Sequence, residues 1–278
     1  MQVSKTFKRI IYLELAIPVA LLIIGIYHGL MQTVYRAGVL HQTSFLKLDY
    51  YQGLTLHGVI NALVLTTFFA VAFGHATMAF YFKKEPNKKL MWLSFWLMLT
   101  GVLLAAATML MGTASVLYTF YPPLKAHPLF YPGAALLIVG SWVPLFDWVR
   151  MYNAWKKENP EIKTPLAVLG TLINFIIWFM CTLAVAYEVL VLLIPWSMGW
   201  TKTVNVNLPE HFSGSSDMHW STSGCCRLIS CSTPSCPRWR VVSSIPISQD
   251  ALLYFCFSFF PFPLAFTTNT AILPSHVV

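Results

Sequence analysis

Residues 54–82 read LTLHGVINALVLTTFFAVAFGHATMAFYF, a run without a single Asp, Glu, Lys or Arg. A helix rises about 1.5 Å per residue, so about 20 apolar residues cross the hydrocarbon core of a bilayer. This run is longer than that, which predicts a tilted or protruding membrane helix. It also carries two histidines, His57 near its start and His75 toward its end.

Four further segments satisfy the same length criterion: Ile10–Leu30, Leu90–Gly112, Phe130–Val149 and Pro165–Met198. None alternates polar and apolar residues like a strand, and in lipid only helices or closed barrels satisfy their own backbone. The fold class expected is therefore all-α, an integral membrane bundle of five helices within residues 1–207. Composition agrees. Hydrophobic residues make up 57% of the 278 and charged residues only 10%, against about 25% charged in soluble domains. The first apolar run is too long for a cleavable signal peptide, and no small-residue cleavage site follows it.

Basic residues alternate between the loops. Lys5, Lys8 and Arg9, then Lys83, Lys84, Lys88 and Lys89, then Arg150, Lys156, Lys157 and Lys163 fall on one side. The other side holds Arg36, Lys47 and Lys125, with Lys202 after the last span. By the positive-inside rule the N-terminus is cytoplasmic and the segment after Met198 emerges on the other side. The net charge of +8 is spread through these short runs, so membrane lipid and not nucleic acid is the expected environment.

Ionisable residues inside spans are costly and mark candidate sites. His57, followed by Gly58, can be read as an axial ligand for haem iron in a dry bundle, or as a histidine hydrogen-bonded to a neighbouring helix. His75 is expected to be an interfacial side chain rather than a second ligand. Glu14 and Glu188 are candidates for a proton path, although Glu188 near a helix end can simply be hydrated. His28, His41 and His127 fall in outer loops, where solvation is the default. Trp92, Trp96, Trp142, Trp148, Trp178 and Trp196 suit interfacial-belt and packing roles. Pro122 and Pro123, after the aromatic Tyr118–Tyr121, make a rigid corner.

Three stretches carry a resemblance: YYQGLTLHGVIN (Tyr50–Asn61), MWLS (Met91–Ser94) and ASVLYTFYPPLKAH (Ala114–His127). They resemble subunit I of the B-type haem–copper cytochrome c oxidases, over about Leu54–Gly199. The resemblance implies a terminal respiratory oxidase that couples oxidation of cytochrome c to reduction of oxygen and proton translocation. It implies His57 as an axial ligand of the low-spin haem b, and a partner subunit II carrying a dinuclear copper centre. The family's high-spin haem and copper ion need a second axial histidine, a proximal histidine and three copper histidines, all on later helices. The sequence as written has no matching residue for any of them, so copper ligands are absent and the chain is expected to be inactive.

After about Leu208 the character changes. Residues 208–278 are rich in serine and cysteine, and the apolar Leu252–Phe266 is short and broken by Pro261 and Pro263. Cys225, Cys226, Cys231, Cys236 and Cys256 lack paired zinc-site spacing and are odd in number. An exported disulfide-bearing tail, a metal knuckle and an out-of-frame translation are the readings open. The genetic code separates them. If the frame slipped by one base near Asn207–Leu208, Met218–His219 must encode alanine, and His219–Trp220 and Cys225–Cys226 must each encode leucine. With third bases chosen toward the family, Ser216 to Ile229 reads GHALVYFWLLPAY, resembling the family's copper-site helix. Leu264 onward reads GFHHQY, resembling its histidine pair, forty-nine codons on. The expectation is an irregular, out-of-frame tail with no domain of its own.

Two other classes remain. A non-catalytic transporter or scaffold with an exported Cys-rich tail would bind no haem. A simple electron-transfer cytochrome b needs facing histidine pairs, and the third, fourth and fifth spans contain no histidine.

Overall fold

A computed structural model describes residues 3–39, 48–117, 120 and 124–201. It contains five helices long and apolar enough to cross a membrane. They are α1 (Lys5–Arg36), α2 (Tyr50–Phe82), α3 (Lys88–Leu110), α4 (Phe130–Glu158) and α5 (Leu166–Ser197). Each matches one predicted span, and α1, α2 and α4 begin or end several residues outside the predicted run. The N-terminal turns of α1 and C-terminal turns of α4 carry the basic residues expected beside a membrane. His41, most of the Tyr118–Pro123 corner and everything from Lys202 on, including the whole tail and its cysteines, lie outside the described residues.

Local chemistry sets the helix ends. The Ser4 hydroxyl accepts from the Phe7 N–H at the start of α1, and the Asn87 side chain accepts from Lys89 N–H at the start of α3. Such caps satisfy N–H groups that have no intrahelical partner. Lys83 ends α2 in the left-handed region, φ 54°. Glu85 in the same connection accepts from both the backbone N–H and hydroxyl of Ser4. The Ser4 backbone N–H is the main cause that holds the Glu85 carboxyl below the usual carboxylate range, with Lys88 helping.

The bundle centres on α3 and α4. Gly101 and Gly133 face one another so closely that a Cβ on Gly101 would lie 2.5 Å from the Gly133 carbonyl oxygen. Small residues are how membrane helices bring their backbones together. Ser94 locks the same pair by donating to the Gly140 carbonyl at 2.8 Å. Further along α4, Trp142 donates to Thr182, and Trp178 of α5 donates to Ser141. Large apolar side chains such as Ile23, Ile26, Leu190 and Val191 remain exposed on α1 and α5, as expected of surfaces that meet lipid. Of the tryptophans, Trp148 is fully buried while Trp96 is largely exposed, so both expected roles occur.

Two segments depart from α-geometry. Val59–Leu65 in α2 and Glu188–Leu193 in α5 are π-helical. Nothing in the apolar pattern signals them. The first begins two residues after His57, and widened turns of this kind are frequent at functional sites.

Candidate functional site

His57 lies on the face of α2 that meets α1. Its Nδ1 is 2.7 Å from the carbonyl oxygen of Gly25. A carbonyl only accepts, so Nδ1 carries the proton and Nε2 keeps its lone pair. That is the tautomer a metal-ligating histidine uses, with its other ring nitrogen donating to a backbone carbonyl. The ring is half-buried. Asn61 lies one turn on, its side-chain amide 3.0 Å from Nδ1. Asn61 Oδ1 is buried without a partner among the described residues. Turning that amide aims Oδ1 at the Nδ1–H and satisfies both groups.

The glycines that make this possible are on α1. A Cβ on Gly29 would fall 2.5 Å from His57 Cε1 and 2.7 Å from Nδ1, and one on Gly25 would meet the Asn61 amide. Gly25 and Gly29, one helical turn apart, form a flat platform against which His57 and Asn61, also one turn apart, are laid. Gly58, the glycine expected to matter, is not part of that platform. The signal available in the sequence was the G-x-x-x-G spacing Gly25–Gly29 in an apolar run.

Two of the three family-like stretches, Tyr50–Asn61 and Ala114–His127, meet beside this region. Thr55, fully buried two residues before His57, accepts from the Leu117 N–H at 2.9 Å. Gln52 donates to the Gly112 carbonyl, and its Oε1 accepts from the Asp49 N–H at the start of α2. Ala114 and Ala126 pair as an isolated antiparallel bridge, closing the loop that Thr55 holds.

Other expectations change. His28 is not in a solvated loop: it sits within α1, fully buried, with Nδ1 2.9 Å from the Ile24 carbonyl. It lies inside the span Ile10–Leu30, on the side of α1 that α2 covers, where a Cβ on Gly53 would lie 3.7 Å from the His28 ring. His127 is exposed, as expected. His75 is not interfacial. It is 1% exposed and accepts from Trp148 Nε1 at 3.1 Å, because α1 and α4 extend far enough to enclose that end of α2. Glu188 is not hydrated at a helix end, being 2% exposed within the second π segment. Glu14 is fully buried.

The His57 ring thus keeps Nε2 free to bind a metal, within a bundle whose helices are long and apolar enough to cross a membrane. The family model for cytochrome c and quinol oxidase polypeptide I matches residues 9–221. The chain belongs to that family. Among its relatives, cytochrome c oxidase subunit 1 of Thermus thermophilus is 41% identical over 157 residues, covering 56% of this chain and 28% of that protein. A heme-copper terminal oxidase dimer solved by cryo-EM is 50% identical with a TM-score of 0.73, covering 76% of this chain and 36% of that chain. This member of the polypeptide I family thus spans about a third of the length of the relatives it matches.

Proposed function

We propose that this chain is the N-terminal part of subunit I of a B-type haem–copper cytochrome c oxidase, with His57 an axial ligand of the low-spin haem b. Membership of the family supports the class. The observation that carries the residue assignment is the hydrogen bond from His57 Nδ1 to the Gly25 carbonyl. It leaves Nε2 as the ring atom able to bind iron, and Asn61 supports the same orientation. A haem bound there supplies one-electron transfer. The chain's own part is to hold one imidazole in one tautomer, pressed on the Gly25–Gly29 platform.

Purified chain reconstituted with haem should show the reduced-minus-oxidised signature of a b-type haem. His57→Ala should lose it while keeping its helix content by circular dichroism. Equal haem retention in the variant overturns the assignment.

In the complete enzyme, on this proposal, cytochrome c delivers electrons through a dinuclear copper centre on subunit II, and oxygen is reduced at a high-spin haem and copper. The bundle lies in the plasma membrane with its N-terminus cytoplasmic, the side toward which eleven basic residues point. Residues 208–278 are, on the same proposal, an out-of-frame tail that replaces the copper-binding helices, so the 278-residue chain alone does not reduce oxygen. Oxygen consumption by the purified chain overturns that. The family match continues to residue 221, past the proposed slip near Leu208. Resequencing the codons for Val204–Ser213 is therefore the deciding measurement. An intact frame there, with the serine-rich peptide found by mass spectrometry, rules the slip out.

A further inference from the structure

Toward the Lys/Arg-rich end of the bundle a second polar cluster is buried. Glu14 of α1 is 0% exposed and His75 of α2 is 1% exposed. Among the described residues, neither oxygen of the Glu14 carboxyl has a hydrogen-bond partner, and neither does Nε2 of His75. These orphaned atoms face each other, with Glu14 Oε1 3.9 Å from His75 Nε2. That is too far for a direct hydrogen bond. It is the kind of separation that a bridging water closes, and buried polar groups are rarely left unsatisfied.

The third member decides how protons are arranged. Trp148 Nε1 is 3.1 Å from His75 Nδ1, and an indole N–H only donates. His75 Nδ1 is therefore bare, and the neutral ring carries its proton on Nε2, toward Glu14. Forming the imidazolium would set an Nδ1–H against the indole N–H. Trp148 cannot easily turn away. It is fully buried, lies edge-on to Phe175 with centroids 4.7 Å apart, and occupies the space that any Cβ on Gly74 would need.

We propose that Glu14 and His75 form an internal proton-holding site in which a water bridges the two side chains and Glu14 carries the single exchangeable proton. In the loaded state Glu14 is a neutral carboxylic acid and His75 a neutral Nε2–H donor to the water. On unloading, Glu14 gives its proton to water, which carries it off as hydronium, and the bridging water then donates to the carboxylate. His75 and Trp148 keep their protons throughout, so they are positioning residues. Among the described residues no cation is placed to stabilise the ion. The lysines of α3, Lys88 and Lys89, are in its first turn, where Lys88 pairs with Glu85. On α4, Asp147 adjoins Trp148 but is committed to the Asn87 N–H and Arg150. Glu14 stands nine residues into α1, about 14 Å along the axis from Lys5. The site does not depend on haem at His57.

The test uses the full chain in lipid nanodiscs at neutral pH. Infrared difference spectra between wild type and Glu14→Gln should show loss of one protonated-carboxyl C=O band. That band should shift in D2O and in His75→Gln. Nitrogen-15 NMR of the wild-type histidines should place His75 in the neutral Nε2–H tautomer, and Trp148→Phe should release that preference. An ion pair of the same proton count would instead show no lost carboxylic band and an imidazolium signal, and either result overturns the proposal. Should Glu14→Gln not fold, the wild-type signal decides: the Nε2–H tautomer supports the site and imidazolium overturns it.

Discussion

The Nδ1 of His57 lies 2.7 Å from the carbonyl oxygen of Gly25, so a backbone atom of α1 fixes the tautomer of a side chain on α2. A carbonyl inside a helix moves only if the helix moves. The orientation of the ring is thereby tied to the packing of the first two membrane helices, and any residue that separates them acts on His57.

Gly29→Ala should do this most directly. Its Cβ would lie 2.5 Å from the His57 ring, so either the ring turns or α1 retreats, and both weaken the bond to Gly25. Outer partners of ligating histidines typically contribute about 10–100-fold to affinity. We expect haem affinity, followed by absorbance titration, to fall by about that factor with helix content unchanged. Undiminished affinity would show that the platform is only packing.

Thr55→Val tests the link between α2 and the loop after α3. Valine keeps the shape but removes the oxygen that accepts from the Leu117 N–H. An unsatisfied buried N–H costs about 1–3 kcal/mol. Thermal unfolding in detergent should move down accordingly, and limited proteolysis should cut faster between residues 111 and 129. An unchanged cleavage rate would mean the loop is held elsewhere.

The five helices were legible because a membrane makes length and apolarity sufficient evidence. His57 was legible as a candidate because a polar ring in an apolar run needs an explanation. What supports it was not, since Gly25, Gly29 and Asn61 come into contact with it through helix packing that no periodicity in α2 reports. His28 and His75 were misplaced for a related reason. Both lie inside their apolar runs, and which side of a helix a neighbouring helix covers is decided by packing that the run does not report. The π turn after His57 has no compositional signature at all, because Val59–Leu65 is as apolar as any α-helical turn.

The contact between Ser4 and Glu85 should make stability depend on pH. The folded carboxyl titrates below its ordinary value of 4.5, so the folded state binds fewer protons than the unfolded one. Its contribution is complete above about pH 4.5 and lost as pH falls through the folded value. Glu85→Gln should lower stability by about 1 kcal/mol at pH 7, less than the roughly 1.5–3 kcal/mol of a hydrogen bond to a charged group because solvent screens this one. The gap between variant and wild type should close on acidification. A gap that does not narrow as pH falls below 4.5 would assign the loss to packing instead of charge.

Gly101→Ala separates backbone crowding from backbone conformation. Gly101 is helical, yet its added Cβ would meet the Gly133 carbonyl oxygen at 2.5 Å and the Leu137 amide nitrogen at 2.6 Å. Neither is the end of a flexible side chain, so α3 and α4 must move apart, and Ser94 then loses its 2.8 Å bond to the Gly140 carbonyl. Overpacking of this kind costs about 1–3 kcal/mol, and the broken hydrogen bond adds to it. Gly38→Ala is the control, because Gly38 has φ +71° and an added methyl there would meet nothing within 4 Å. Its cost is conformational alone, about 1 kcal/mol or slightly more. Unfolding of both variants in nanodiscs should therefore rank Gly101→Ala as the more damaging, and adding Ser94→Ala to Gly101→Ala should cost less than Ser94→Ala alone. Additive losses would show that the glycine contact and the Ser94 bond are independent fastenings of the same two helices.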